Sequence, residues 1–196
     1  MGREYELKYR ASDEQLEAVR QSFGDFTEIR METVYYDGPG SPLGELRWTL
    51  RRRMENETSV CTLKTGLRDG SRGEWEVHCG DIAAAVPMLI AAGAPEELAE
   101  LTAQGVAPVC GARFVRLAKR VPVDGGEVEL ALDWGVLTGG GRELPFREIE
   151  AELKTGPDTA ADDFAAVLSS RFGLEPEPLS KFRRALTLAQ DAEEAR

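Results

Sequence analysis

In seven segments of this chain, charged residues concentrate on one parity of position, with apolar residues on the other. The first holds Glu4, Glu6 and Lys8, separated by Tyr5 and Leu7. Successive side chains of a strand point to opposite faces, so such a segment carries one ionic and one apolar face. Further along, Arg51 and Arg53 share a face with Thr49, opposite Trp48, Leu50 and Arg52. Lys64 falls with Thr62 and Val60, away from Cys61 and Leu63. Arg72, Glu74 and Glu76 stand opposite Trp75 and Val77. Arg116 and Arg120 share a face, with Lys119 on the other beside Val115 and Leu117. Glu127, Glu129 and Asp133 oppose Val128, Leu130 and Leu132, and Glu148, Glu150 and Glu152 alternate with Ile149, Ala151 and Leu153.

One such strand is an ordinary sheet edge with a solvated outer face. Seven, dominated by Glu and Arg, call for another account, because these groups need partners when crowded together. If the sheet closes with its ionic faces inward, acids on one side can hold a hard divalent cation through oxygen ligands, Mg²⁺ keeping several waters. Arg and Lys on the other side can grip phosphate oxygens, Arg often bidentately. The composite is a site for a metal-bound polyphosphate.

The rest of the chain agrees with a closed sheet. Ser12 can cap a helix whose Leu16, Val19 and Phe23 fall on one side and whose end is marked by Gly24. Segments 27–37, 45–54, 58–66, 72–79, 109–123, 126–137 and 146–156 read as strands, with a hairpin turn at Glu55, Asn56 and Glu57 and another at Asp124, Gly125 and Gly126. DGPGSPLG reads as a loop, two alanine-rich helices follow near 81–105, and two more close the chain. With the first strand, this gives about eight strands in hairpin succession: an α+β class, an antiparallel sheet curled or closed, with flanking helices. The 196 residues suit a single domain over 1–196, and 42% hydrophobic content supplies a substantial core.

Composition narrows the function. A net charge of -11 argues against general nucleic-acid binding, although RWTLRRR, LKTGLRDGSR and RFVRLAKR concentrate positive charge. No apolar run approaches the roughly 18 residues that cross a membrane, and no signal peptide precedes the first strand, so a soluble cytoplasmic protein is expected. Cys61, Cys79 and Cys110 lack metal-finger spacing and read as core residues, and the single histidine, His78, excludes a His-based triad or a histidine-rich metal site.

The ordered motifs resemble the CYTH domain, also called the triphosphate tunnel metalloenzymes. The resemblance is carried by Glu4-x-Glu6-x-Lys8, Tyr35-Tyr36-Asp37, LRRR at 50–53, TLK at 62–64, Arg72-x-Glu74-x-Glu76, the basic strand ending at Arg120, Asp133, Glu148-x-Glu150-x-Glu152 and Ser180-Lys181. It implies an eight-stranded antiparallel β-barrel, a tunnel that binds a triphosphate with Mg²⁺ or Mn²⁺. By position, Glu4, Glu6, Glu148 and Glu150 would be the main metal ligands, supported by Asp133 and Glu152. Lys8, Arg51, Arg53, Lys64, Arg72, Arg116, Arg120 and Lys181 would hold phosphate oxygens. Glu74 and Glu76 would serve a second metal or orient the attacking water. The chain departs from the family's usual YYDT by having Gly38 in the fourth place, and Lys181 lies on a predicted helix.

The resemblance implies a metal-dependent triphosphatase, with inorganic triphosphate as the leading substrate. The alternatives are a thiamine or nucleoside triphosphatase, a class IV-type adenylyl cyclase and a non-catalytic polyphosphate-binding module. The cyclases resemble one another in a His-Phe stretch ahead of ExExK, where only Met1, Gly2 and Arg3 stand here. By strand parity Trp48 and Trp75 face away from the tunnel, which removes the obvious stacking platforms for an organic group. Retention of acid rows at both ends of the chain favours catalysis over binding alone. The expected partner is a small-molecule triphosphate, with no nucleic acid and no membrane.

Overall fold

The computed structural model describes residues 2, 3, 5–66 and 72–194, and Glu4 lies outside them. Its strands are β1 (Gly2–Arg3), β2 (Glu6–Arg10), β3 (Thr27–Asp37), β4 (Thr49–Glu55), β5 (Thr58–Gly66), β6 (Arg72–His78), β7 (Ala107–Val123), β8 (Gly126–Gly139), β9 (Arg142–Thr155) and β10 (Glu175–Pro176). The helices are α1 (Asp13–Phe23), α2 (Pro42–Glu45), α3 (Ile82–Ala91), α4 (Glu97–Leu101), α5 (Asp158–Phe172) and α6 (Lys181–Glu194). Among the described residues, no helix is long and apolar enough to cross a membrane.

The strand order is β1-β6-β5-β4-β3-β7-β8-β9-β2-β10. β1 and β2 are successive pieces of one opening strand, so that strand touches both edges. Gly2 and Arg3 pair with Glu74 and Gly73 on β6, while Glu6 to Arg10 pair with Glu152 to Glu148 on β9. The closure gives an eight-stranded antiparallel barrel with flanking helices, and β10 adds two residues beside β2. A closed sheet has no long unpaired edge and a separate interior face.

Parity then sorts the side chains. The outward faces of β2, β8 and β9 pack with α1 and α5 in a core built on Tyr9, Val19, Leu130, Leu132, Ile149, Ala151, Ala165 and Leu168. The outward faces of β4, β5 and β6 pack with α3 and α4 through Leu50, Cys61, Leu63, Trp75, Val86, Leu89 and Leu98, with Trp48 against them. Both tryptophans are therefore core residues, as their parity predicts. α1 begins at the predicted Ser12, whose hydroxyl accepts from the Gln15 N–H at 3.2 Å while Gln15 returns a bond to the Ser12 N–H at 2.8 Å. The DGPGSPLG segment differs from expectation, because it holds the short helix α2. Asp37 accepts from the N–H groups of Gly38, Leu43 and Gly44 at 2.8, 3.0 and 2.9 Å, which fixes that turn.

A third core lies on the inward faces. Met31, Tyr35, Cys110, Ala112, Phe114, Leu137 and Phe146 meet Ala185, with Phe182 and Leu186 beside it, so α6 seals one end of the barrel. Small residues bring the helix close. A Cβ on Gly139 would stand 2.4 Å from the Ala185 carbonyl oxygen, and one on Gly140 would stand 2.3 Å from Cβ of Ala192. Ser180 caps the helix by accepting from the Arg183 N–H at 3.1 Å, which leaves Lys181 at the helix start, aimed inward.

Candidate active site

Register arranges the inward side chains in layers. One layer joins Arg116, Asp133, Glu148 and Arg10; the next joins Ala118, Ala131, Glu150 and Lys8; the third joins Arg120, Glu129, Glu152 and Glu6. Across the barrel, Tyr35, Arg51, Thr62 and Glu76 form one row, and Thr49, Lys64 and Glu74 another. These rows enclose a cavity of about 330 Å³ to which β2 to β9 and α6 all contribute side chains. That is near the lower end of cavities that hold small molecules, roughly 300–1,000 Å³.

Eleven of the residues expected from sequence line this cavity: Glu6, Lys8, Arg51, Arg53, Lys64, Glu74, Glu76, Arg116, Glu150, Glu152 and Lys181. Glu4 is outside the described residues, and Arg72 is described only as the first residue of β6. Asp133 and Glu148 point inward but are fully buried, one layer nearer the α6 plug than Glu150. Arg120 sits at the rim with a half-exposed side chain, paired with Glu127 at 3.0 Å and Glu129 at 3.3 Å.

The buried end is densely paired. Arg116 donates from Nε and Nη2 to both oxygens of Asp133 at 2.8 and 2.7 Å, and also to Glu150. Lys181 Nζ lies 2.8 Å from Asp133 and 2.7 Å from Glu150, and also bonds Glu148. Arg184, one turn along α6, bonds Glu148 and lies 3.5 Å from Glu177, which in turn accepts from Arg10 at 2.7 Å. Burial alone would raise the Glu150 carboxyl, but Lys181 and Arg116 outweigh it and hold the group well below the usual carboxylate range. Burial likewise opposes the charges on Arg116 and Lys181, and Asp133 and Glu150 overcome it, so both bases are held more firmly protonated than usual.

On the opposite wall Arg51 and Arg53 are loosely paired with carboxylates. Arg51 reaches Glu74 and Glu76 only at 3.7 and 3.8 Å, and its buried Nε has no hydrogen-bond partner. Arg53 donates to the Thr33 hydroxyl at 3.1 Å and lies 3.9 Å from Glu55. Burial, with Arg51 nearby, lowers Arg53 to about 10. Lys64 lies 3.3 Å from Glu74. Arg51 and Arg53, with long ion-pair distances, stand beside Lys64 and make a site of positive potential suited to a compact polyanion.

Two further cavity residues escaped sequence reasoning. Lys154 continues the parity of Glu148, Glu150 and Glu152, and pairs with Glu152 at 2.7 Å and Glu129 at 3.6 Å. Extending the alternation two residues would have found it. Glu55 continues the Arg51 and Arg53 row in the same way. Arg184 left no such signal, because strand parity says nothing about a helix.

The donor set fits a hard divalent cation. Glu6, Glu150 and Glu152 are oxygen donors on the adjacent strands β2 and β9, open to the cavity and in register. The carboxylate oxygens of Asp133, Glu148 and Glu150 also lie within 4.8 Å of one another, but the Lys181 ammonium bonds all three groups.

Known proteins agree with this geometry. The chain is 27% identical over 195 residues to an inorganic triphosphatase of Haemophilus influenzae, covering 96% of this chain and 55% of that protein. It thus spans about half the length of that relative. Among solved structures, PH1819 of Pyrococcus horikoshii OT3 superposes with a TM-score of 0.66 at 25% identity, covering 94% of this chain and 98% of that one. HpAC1 of Hippeastrum, an adenylyl cyclase candidate with a dominant triphosphatase activity, superposes with a TM-score of 0.65 at 18% identity, covering 93% and 94% of the two chains. The model of the CYTH domain matches residues 2–186, and the chain belongs to the CYTH domain family.

Proposed function

We propose that this chain is a divalent-cation-dependent triphosphatase that hydrolyses inorganic triphosphate to diphosphate and phosphate. The observation that carries the reading is the basic wall of Arg51 and Arg53, where the buried Arg51 Nε has no hydrogen-bond partner among the described residues, facing a carboxylate row across one cavity. Identity to an inorganic triphosphatase over nearly the whole chain supports it. So does the lining: among the described residues the aromatic side chains at the cavity are Tyr35 and Phe182, which lean on each other with ring centroids 4.9 Å apart. Trp48, just ahead of β4, and Trp75 of β6 pack in the outer core, and among the described residues no tryptophan lines the cavity.

Phosphoryl transfer from a triphosphate is chiefly positioning and charge neutralisation. Arg51, Arg53, Lys64, Lys8 and Arg116 would hold the phosphate oxygens, spreading the negative charge that moves to the leaving diphosphate. Glu74 and Glu76, on the wall opposite β9, would orient a water toward the terminal phosphorus. Glu6, Glu150 and Glu152, with Glu4 by its place in the sequence, would hold Mg²⁺ or Mn²⁺. The bound ion would neutralise phosphate charge and lower the pKa of a water.

Phosphate release from inorganic triphosphate, ATP and thiamine triphosphate, each with Mg²⁺, Mn²⁺ or EDTA, tests the reading. Fast release from inorganic triphosphate, abolished by EDTA, is the expected result. Release chiefly from an organic triphosphate would replace the substrate, and formation of a cyclic nucleotide from ATP would replace the reaction.

A further inference from the structure

Glu150 faces two ways. It lines the cavity among the carboxylates suited to a metal ion, yet one of its oxygens accepts from Lys181 at 2.7 Å and the other from Arg116. Lys181 itself is buried, at the first position of α6, and its ammonium bonds Asp133, Glu148 and Glu150 together. The rings of Phe114 and Phe146 lie 5.4 and 5.3 Å from its nitrogen, which confines the ammonium to that spot. A helix residue thus supplies a positive charge inside a cluster whose oxygen spacing would otherwise suit a cation.

We propose that Lys181 is a resident competitor of the divalent cation: its ammonium and the metal ion contend for Glu150, so the seating of the C-terminal helix sets the metal affinity of the cavity. The inference rests on the reading of Glu6, Glu150 and Glu152 as the metal carboxylates. Lys181 acts here through Glu150 and is a positioning residue. A merely structural lysine makes the opposite prediction, because loss of its bonds would loosen Glu150 and weaken metal binding. Arg184 is the internal control: it bonds Glu148 and Glu177, holds the same helix, and does not touch Glu150.

The test is titration of the substrate-free protein with Mn²⁺, followed by electron paramagnetic resonance of the free ion. Lys181→Gln is expected to tighten Mn²⁺ binding by about tenfold or more, since it removes a like charge close to the ion in a poorly solvated site. Lys181→Arg should stay near the wild type, and Arg184→Gln should melt at a lower temperature with unchanged affinity. Unchanged or weaker Mn²⁺ binding by folded Lys181→Gln overturns the proposal. Should Lys181→Gln unfold, Mn²⁺ is expected to restore its circular dichroism by replacing the missing charge, and failure to do so also overturns it. Glu6→Gln and Glu150→Gln separate the two levels of the argument. If neither weakens Mn²⁺ binding, the metal reading itself fails; if both do and Lys181→Gln does not tighten it, only the competition fails.

Discussion

The two walls of the cavity carry similar charged groups and use them differently. Where β7, β8 and β9 meet α6, Arg116, Asp133, Glu148, Glu150 and Lys181 stand at bonding distance and leave little charge unspent. On β4, β5 and β6, Arg51 stands 3.7 and 3.8 Å from Glu74 and Glu76, Arg53 stands 3.9 Å from Glu55, and the buried Arg51 Nε has no hydrogen-bond partner among the described residues. The first arrangement resembles a buried ion-pair network, which holds a fold in one geometry but contributes modest net stability. The second leaves Arg51 and Arg53 weakly engaged, an arrangement suited to an anion. Pairing distance, more than residue type, separates the two walls.

The largest effects should come from cutting the tight wall. Asp133→Ala leaves the buried Arg116 and Lys181 short of an anion and is expected to cost about 3–5 kcal/mol, because an uncompensated buried charge is what makes such breaks severe. A thermal melt should fall by about 2–4 °C per kcal/mol for a chain of this size. Glu6→Gln, at the open mouth, should melt normally while metal-dependent turnover is lost. Equal melting temperatures for the two variants would erase the distinction between the walls.

An intermediate effect is expected on the loose wall. Arg51→Ala should weaken triphosphate binding by about 1.5–3 kcal/mol, the usual worth of one charge-assisted contact, while the melting temperature stays near that of the wild type. A fall in stability as large as that of Asp133→Ala would show that Arg51 is structural. Isothermal titration with triphosphate and a melt on the same sample decide it.

The smallest effect is kinetic. Burial pushes the Cys61 thiol up to about 11 and the Cys110 thiol up to about 12, so neither should react with a thiol reagent at pH 8 until its region opens. Cys61 lies in the core behind the loose wall and Cys110 in the core sealed by α6. Cys61 should therefore label faster, and bound triphosphate should slow it more than Cys110. Equal rates with and without triphosphate would mean that the walls open together.

Strand parity made most of this architecture legible. The alternation around Glu6, Arg51, Lys64, Glu74, Arg116 and Glu150 put each of those side chains on the inner face, and Trp48 and Trp75 on the outer. Parity gives the face of a residue but not its depth along the barrel. Asp133, Glu150 and Arg120 all point inward, yet the first is sealed beneath the cavity, the second lines it and the third stands at the rim. Depth depends on the β7–β8–β9 register and on where α6 docks. The partners that decide the chemistry of Glu148, namely Lys181 and Arg184, arrive from a helix more than thirty residues away.

That helix is seated by absences. At Gly139 and Gly140 the last turn of β8 comes so near Ala185, Ala189 and Ala192 that no side chain fits between them. A methyl group at Gly139 would press on the helix at Ala185, one turn from Lys181. Volume beside the helix is thereby coupled to the position of a buried charge. Selection acting on two small residues outside the cavity could retune the electrostatics of the site without touching a charged residue.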